Sequence, residues 1–212
     1  MIIPLGRILG IPTYANGSAL LVLAFLVFGQ GARGAEELVG ALLYGAVVFG
    51  SILVHELGHA VVGRRLGLNP RRILLHGFGG LCEYGRAPKA REGLISAAAG
   101  PVAGLILGAL ALALSLTVGA SLPPRMAWLL GAAVQINIFW SLFNLLPMYP
   151  LDGGSVLWNA LRLRRPGNSA WLLTRKISIG TAILVAIAGL VTGHFFVIIV
   201  AGMVLAQTVT QR

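Results

Sequence analysis

Apolar residues fall in long blocks with few polar interruptions, at about 14–30, 38–63, 92–119, 126–147, 170–191 and 194–209. A helix crossing the hydrocarbon layer needs roughly 17–25 such residues. The second, third and fourth blocks meet that length clearly. The first and sixth are marginal, and the fifth opens on the polar Thr174-Arg175-Lys176. The pattern predicts six spans, with the last pair turning at Gly193-His194 or forming one tilted helix and a re-entrant piece. The segment between the second and third blocks has another rhythm. Arg71–His76 and Gly80–Tyr84 are short β-like runs around the turn-rich Gly77-Phe78-Gly79-Gly80. A small β-hairpin or sheet at about 71–84 is therefore expected at the cytoplasmic membrane surface. Its open edge cannot face lipid, so it must be buried in protein or line a wet cavity. The expected fold is an all-α polytopic membrane protein of about six transmembrane helices plus this sheet. A single membrane-embedded domain over 1–212 is expected, with core spans at about 38–63, 92–119 and 126–147.

Composition agrees with this reading. The chain has 212 residues, of which 57% are hydrophobic and 10% charged. A soluble protein of this size could not hide so much apolar surface. The net charge of +10 could point to nucleic acid, but its placement excludes that class. Between the second and third spans lie Arg64, Arg65, Arg71, Arg72, Arg86, Lys89 and Arg91; between the fourth and fifth lie Arg162, Arg164, Arg165, Arg175 and Lys176. With Arg7 and Arg212, fourteen of the sixteen basic residues share one side, and only Arg33 and Arg125 lie opposite. The positive-inside rule makes the rich side cytoplasmic, and both termini with it, as in a multi-pass protein of the plasma or inner membrane. Cys82 is the sole cysteine, so no internal disulfide forms. The first residues show no cleavage site and read as leading into an uncleaved span. Asn16-Gly17-Ser18 matches a glycosylation sequon but sits close to the membrane. Gly100, Gly104 and Gly108 put small residues on one helix face, the pattern of close packing.

The chemistry lies in the second span, which carries His55-Glu56-Leu57-Gly58-His59. Histidines at i and i+4 project from one helical face and can share a metal ion, with Glu56 beside them. An isolated glutamate inside a span costs roughly 2.5 kcal/mol or more, so charge there points to function. Two histidines leave a catalytic zinc one protein ligand short. The acidic residues are Glu36, Glu37, Glu56, Glu83, Glu92 and Asp152. Glu36 and Glu37 lie on the far side. Asp152 follows the fourth span, which runs in the same direction as the second, so their ends reach the same depth. Pro147 and Pro150 break the helix and let the chain bend inward.

His55-Glu56-Leu57-Gly58-His59, followed by Asn144-Leu145-Leu146-Pro147 and Leu151-Asp152-Gly153, resembles the signature pair of the site-2 proteases, the intramembrane zinc metalloproteases. Gly79-Gly80 and Ala99-Gly100-Pro101 look like that family as well, and the likeness covers roughly 10–160. The resemblance implies a three-span core and one zinc per chain held by His55, His59 and Asp152. It also implies an Asn144 that contacts substrate and a membrane-protein substrate, single-pass in the simplest case. Family members often have asparagine where this chain has Gly104, and many carry a PDZ insertion or a CBS domain. A minimal form without either is expected here, with substrate selected by a partner or by the spans.

Zinc with two imidazoles and a carboxylate keeps a position for water and lowers its pKa to about 7. Glu56 then acts as general base and afterwards as acid toward the leaving amine. Asn144 is placed to donate to the oxyanion or to substrate backbone, whereas Gln135 and Asn137 suit packing or water contact. A substrate helix must unwind, and Phe78, Gly79, Gly80 and Leu81 are the candidate groove that pairs with it as an added strand. His76 and His194 read as surface and turn residues. Two rivals remain at this level. A metal transporter would need ligands on both sides of the membrane. A catalytically silent membrane scaffold would have lost Glu56 or a ligand. The sequence does not specify the substrate or the oligomeric state.

Overall fold

The computed structural model describes residues 1–28, 34–77 and 79–210. The elements are β1 (Ile2–Ile8), β2 (Ile11–Asn16), α1 (Gly17–Phe28), α2 (Ala35–Arg65), β3 (Pro70–His76), β4 (Gly79–Tyr84), α3 (Ala90–Val118), a 3-10 turn (Gly119–Ser121), α4 (Pro124–Asn144), α5 (Asp152–Arg162), α6 (Gly167–Thr192) and α7 (Phe195–Thr210). The chain divides into two compact units, Met1–Ala87 with Val102–Ser141, and Pro88–Pro101 with Leu142–Arg212.

The first unit holds the sheet and α2. The strands run in the order β1-β2-β3-β4. β1 and β2 are antiparallel, β2 and β3 parallel, and β3 and β4 antiparallel. Leu9 (φ 51°) and Gly10 (φ 78°) connect β1 to β2, and Ile8 pairs with Ile11. A two-residue loop with both φ values positive twists with the strands and closes a tight hairpin. Every second residue of β2, namely Ile11, Thr13 and Ala15, is buried. Ile11 and Ala15 join Ile52, Ala60, Ile73 and Leu75 in a core between the sheet and α2, with Leu57 and Cys82 packed against it. Helix α2 has 31 residues, about 46 Å at 1.5 Å per residue. The Gly34 amide donates to Glu37 Oε2 (3.2 Å) at its start. It ends in a left-handed Gly67 (φ 71°), with Leu68 N donating to Gly63 O (2.8 Å) and Gly67 N to Arg64 O (3.0 Å), a Schellman close. On α3, Gly104 and Gly108 back onto Ser141 and onto Ile138 and Asn137 of α4, so two of the three spaced glycines serve helix contact.

In the second unit, α6 and α7 form a hairpin. Gly193 (φ 71°) closes α6, and the exposed His194 turns the chain by donating its amide to Gly189 O (2.9 Å). Met148, Ala182 and Val204 form a core there with Phe143, Leu146, Leu151 and Val185 packed on it.

Among the described residues, four helices are long and apolar enough to cross a membrane: α2, α3 with its 3-10 turn, α4 and α6. Six were expected. Among the described residues the first block yields the twelve of α1, its opening residues completing β2. Asn16 Oδ1 then accepts from Ser18 N (3.0 Å) and Ala19 N (3.3 Å), capping α1, so the side chain of the sequon asparagine is engaged. The last block yields the sixteen residues of α7. The expected 71–84 hairpin is present as half of a four-stranded sheet.

Candidate active site

Helix α2 places His55, Glu56 and His59 in its C-terminal half, and they are only 5%, 4% and 8% exposed. The two imidazoles approach edge to face, with ring centroids 4.9 Å apart and Nε2 facing Nε2 at 3.2 Å. Nitrogens about 2.0–2.1 Å from one tetrahedral zinc would stand about 3.3–3.4 Å apart, so the pair already has the spacing that shared coordination requires. His55, His59 and Asp152 make up a candidate group of metal ligands.

Strand β4 runs beside the same stretch of α2. A Cβ on Gly80 would collide with the Glu56 side chain, so only glycine lets the strand backbone come this close. Four residues on, Tyr84 donates its hydroxyl to His59 O (3.0 Å) and its ring fills the space over Gly63. One turn before His55, Ser51 donates to Val47 O (2.7 Å) and accepts from Asn137 Nδ2 (2.9 Å), which also donates to Ala133 O (2.8 Å). Asn137 thus ties α4 to α2, the packing role its sequence position suggested.

Most other carboxylates have structural work. Glu37 caps α2, and Glu92 Oε2 accepts from Lys89 N (2.9 Å) at the start of α3. Glu83 takes two bonds from Arg72, at 2.7 and 2.8 Å. That hydrogen bonding holds the Glu83 carboxyl below the usual range and raises Arg72. The pair's small contribution is therefore present above the ordinary carboxylate pKa and lost as pH falls through the depressed one.

Residues 44–125 match the sequence profile of peptidase family M50. A Mycobacterium tuberculosis protein provisionally named zinc metalloprotease Rip3 is 36% identical over 181 residues, covering 79% of this chain and 45% of that protein. Over that stretch the chain resembles peptidase family M50. The zinc metalloprotease MJ0392 of Methanocaldococcus jannaschii is 28% identical over 199 residues, covering 94% of this chain and 57% of that protein. The chain thus spans about half the length of the curated relatives it matches. The solved site-2 protease from Methanocaldococcus jannaschii has the same fold, with a TM-score of 0.68 at 24% identity, over 98% of this chain and 94% of that one.

In this chain Asn144 is the half-buried last residue of α4, and Pro147 and Pro150 lie in the non-helical turn after it. Asp152 does not sit in an Asp-Gly turn; it opens α5, a helix the sequence reading did not anticipate. Of the candidate groove residues, Gly79, Gly80 and Leu81 belong to β4, and Phe78 lies outside the described residues. His76 ends β3 half-buried, which lowers its pKa. Tyr84 and Ser51 were missed. The signal available for Tyr84 was its place in the β-like run ending one residue before Gly85; Ser51 carried only its spacing of four from His55.

Cys82 packs beside this core, and burial first, then the Glu56 charge, push its thiol up to about 12. Only thiolate reacts, and at pH 7 that leaves about one part in 100,000. Cys82 is expected to resist maleimide in the folded protein and to label on unfolding. A mass shift checks this, and rapid labelling of the folded protein would contradict it.

Proposed function

We propose that the chain is an intramembrane zinc metalloprotease that hydrolyses peptide bonds in or near the transmembrane segments of membrane-protein substrates. The observation that carries the proposal is the buried pair of imidazoles, His55 Nε2 facing His59 Nε2 at 3.2 Å, on a helix that also bears the buried Glu56. His55, His59 and Asp152 hold the metal, a two-imidazole, one-carboxylate donor set suited to catalytic zinc. When bound, zinc acidifies water and polarises the scissile carbonyl. Glu56 accepts the proton of the attacking water and returns it to the leaving amine. Asn144 donates its amide to the oxyanion or to substrate backbone.

Peptide bonds in a helix are satisfied internally, so the substrate is attacked as an extended segment. Strand β4 ends the sheet order. Its Gly80 lies against Glu56, and Leu81, 48% exposed, faces outward. The substrate adds to β4 through main-chain hydrogen bonds, bringing a stretched peptide beside the base. Gly80→Ala forces its methyl group into Glu56. The variant is expected to keep zinc and lose activity, and a photocrosslinker at Leu81 to capture substrate. A Gly80→Ala protein of normal activity, with no capture at Leu81, removes the groove from the reading.

The active site opens to the cytoplasmic side of a plasma or inner membrane, and α1 and α7 complete six membrane-embedded helices. Because Cys82 is expected to resist labelling, cysteines introduced at the exposed Ala87 and Ser121 are the suitable topology probes. Ala87→Cys labels only from the cytoplasm and Ser121→Cys only from outside; the opposite result inverts the orientation. The activity itself is tested with the purified chain and a single-pass substrate in liposomes. Cleavage appears with zinc and stops with chelator. No cleavage of any candidate by zinc-loaded protein counts against the reading.

A further inference from the structure

Tyr149 lies three residues before Asp152, in the turn that joins α4 to α5. The turn closes on itself through Leu146 N to Phe143 O (3.1 Å), Met148 N to Leu146 O (2.6 Å) and Leu151 N to Met148 O (2.8 Å). The Tyr149 amide and carbonyl are instead taken by side chains of two distant helices. Tyr149 N donates to Ser178 Oγ of α6 (2.9 Å). Thr208 Oγ1 of α7 lies 2.6 Å from Tyr149 O and 2.8 Å from Val204 O, so its proton serves the turn as well as its own helix. Ser178 and Thr208 are both 0% exposed.

For Thr208 the bond to the turn comes in addition to the usual helix bond. A serine or threonine inside a helix ordinarily bonds the carbonyl one turn back, as Thr174 and Thr192 do here. Two buried hydroxyls converging on the two polar groups of one residue fix its position along and across the hairpin. The Tyr149 ring is fixed too, edge-on to Trp171 (5.0 Å) and Trp158 (6.4 Å). From Tyr149 to α5 there is little slack. A Cβ on Gly154 would strike Tyr149 N, and one on Gly153 would strike the Leu145 and Leu146 carbonyls, so the first turn of α5 lies hard against the loop. Met148, buried between α6 and α7, anchors the other flank.

We propose that the α6–α7 hairpin is a clamp on the Asp152 turn, with Ser178 and Thr208 as positioning residues that set where the Asp152 carboxylate stands. This rests on the reading of Asp152 as a zinc ligand. Outer partners that orient a ligand typically change metal affinity about 10–100-fold. The test uses the full chain in detergent, with zinc affinity measured by competition against a chelator. Amide exchange is followed in the zinc-stripped protein. Ser178→Ala and Thr208→Val are each expected to weaken zinc at least about tenfold and to speed exchange at Tyr149 while exchange along α6 stays unchanged. Thr208→Ser, which keeps the hydroxyl, restores both. Thr192→Val, which loses only a local helix bond, changes neither. Ser178→Ala carries the decision if Thr208→Val folds poorly. Wild-type zinc affinity and wild-type Tyr149 exchange in folded Ser178→Ala overturn the clamp. Asp152→Ala separates the two ideas. Undiminished zinc affinity in that variant removes the ligand reading, whereas lost affinity there with none lost in Ser178→Ala removes only the clamp.

Discussion

Glu56→Gln should bind zinc like the native chain and cleave at most about one hundredth to one ten-thousandth as fast, the range that general-base catalysis supplies. Glutamine has nearly the same shape, so contact with the Gly80 backbone persists and the helix is undisturbed. What is lost is a group that can take a proton. The loss belongs in kcat, because an acceptor that acts on the attacking water has no part in holding the ground-state substrate. The measurement is initial rates in liposomes beside metal content on the same preparation. Near-native turnover would remove Glu56 from the chemistry. A variant that is inactive and also zinc-free would instead make it a ligand or a support for one.

Asp152→Ala should bring zinc well below one per chain after dialysis against a modest chelator, and activity should fall with it. With His55 and His59 alone, the metal has two protein ligands on one helix and nothing from the turn after α4. The competing account is local. Asp152 stands at the start of α5, where a carboxylate favours the helix dipole by about 0.3–1 kcal/mol. On that account the variant loosens α5 slightly and keeps its zinc. Metal analysis decides between them, and stoichiometric zinc with normal cleavage in Asp152→Ala would end the ligand assignment.

Much of the candidate site could be read in the chain itself. The four-residue spacing of His55 and His59 fixes their common face wherever a helix forms, since the helical repeat is a property of the backbone. A glutamate next to them in an apolar block leaves few explanations besides chemistry. Asp152 stood out because so few acidic residues were available, and Pro147 and Pro150 marked the end of α4 through steric exclusion. The long spans were legible because hydrocarbon thickness sets a length that composition must meet. The N-terminal strands were not. Ile2–Ile8 and Ile11–Asn16 are short apolar runs running into another, and periodicity cannot separate a buried strand from the start of a helix at that length. Their identity comes from pairing, β2 lying parallel to β3 across more than fifty intervening residues. The same holds for the closeness of Gly80 to Glu56 and for the capture of Tyr149 by Ser178 and Thr208. The sequence by itself determined which groups are candidates for the chemistry and which helix carries His55, Glu56 and His59, because these follow from local spacing and from the cost of charge in hydrocarbon. Only the tertiary structure decided which backbone lies against the base and which hydroxyls hold the turn. Such contacts join residues tens of positions apart, and no local preference encodes them.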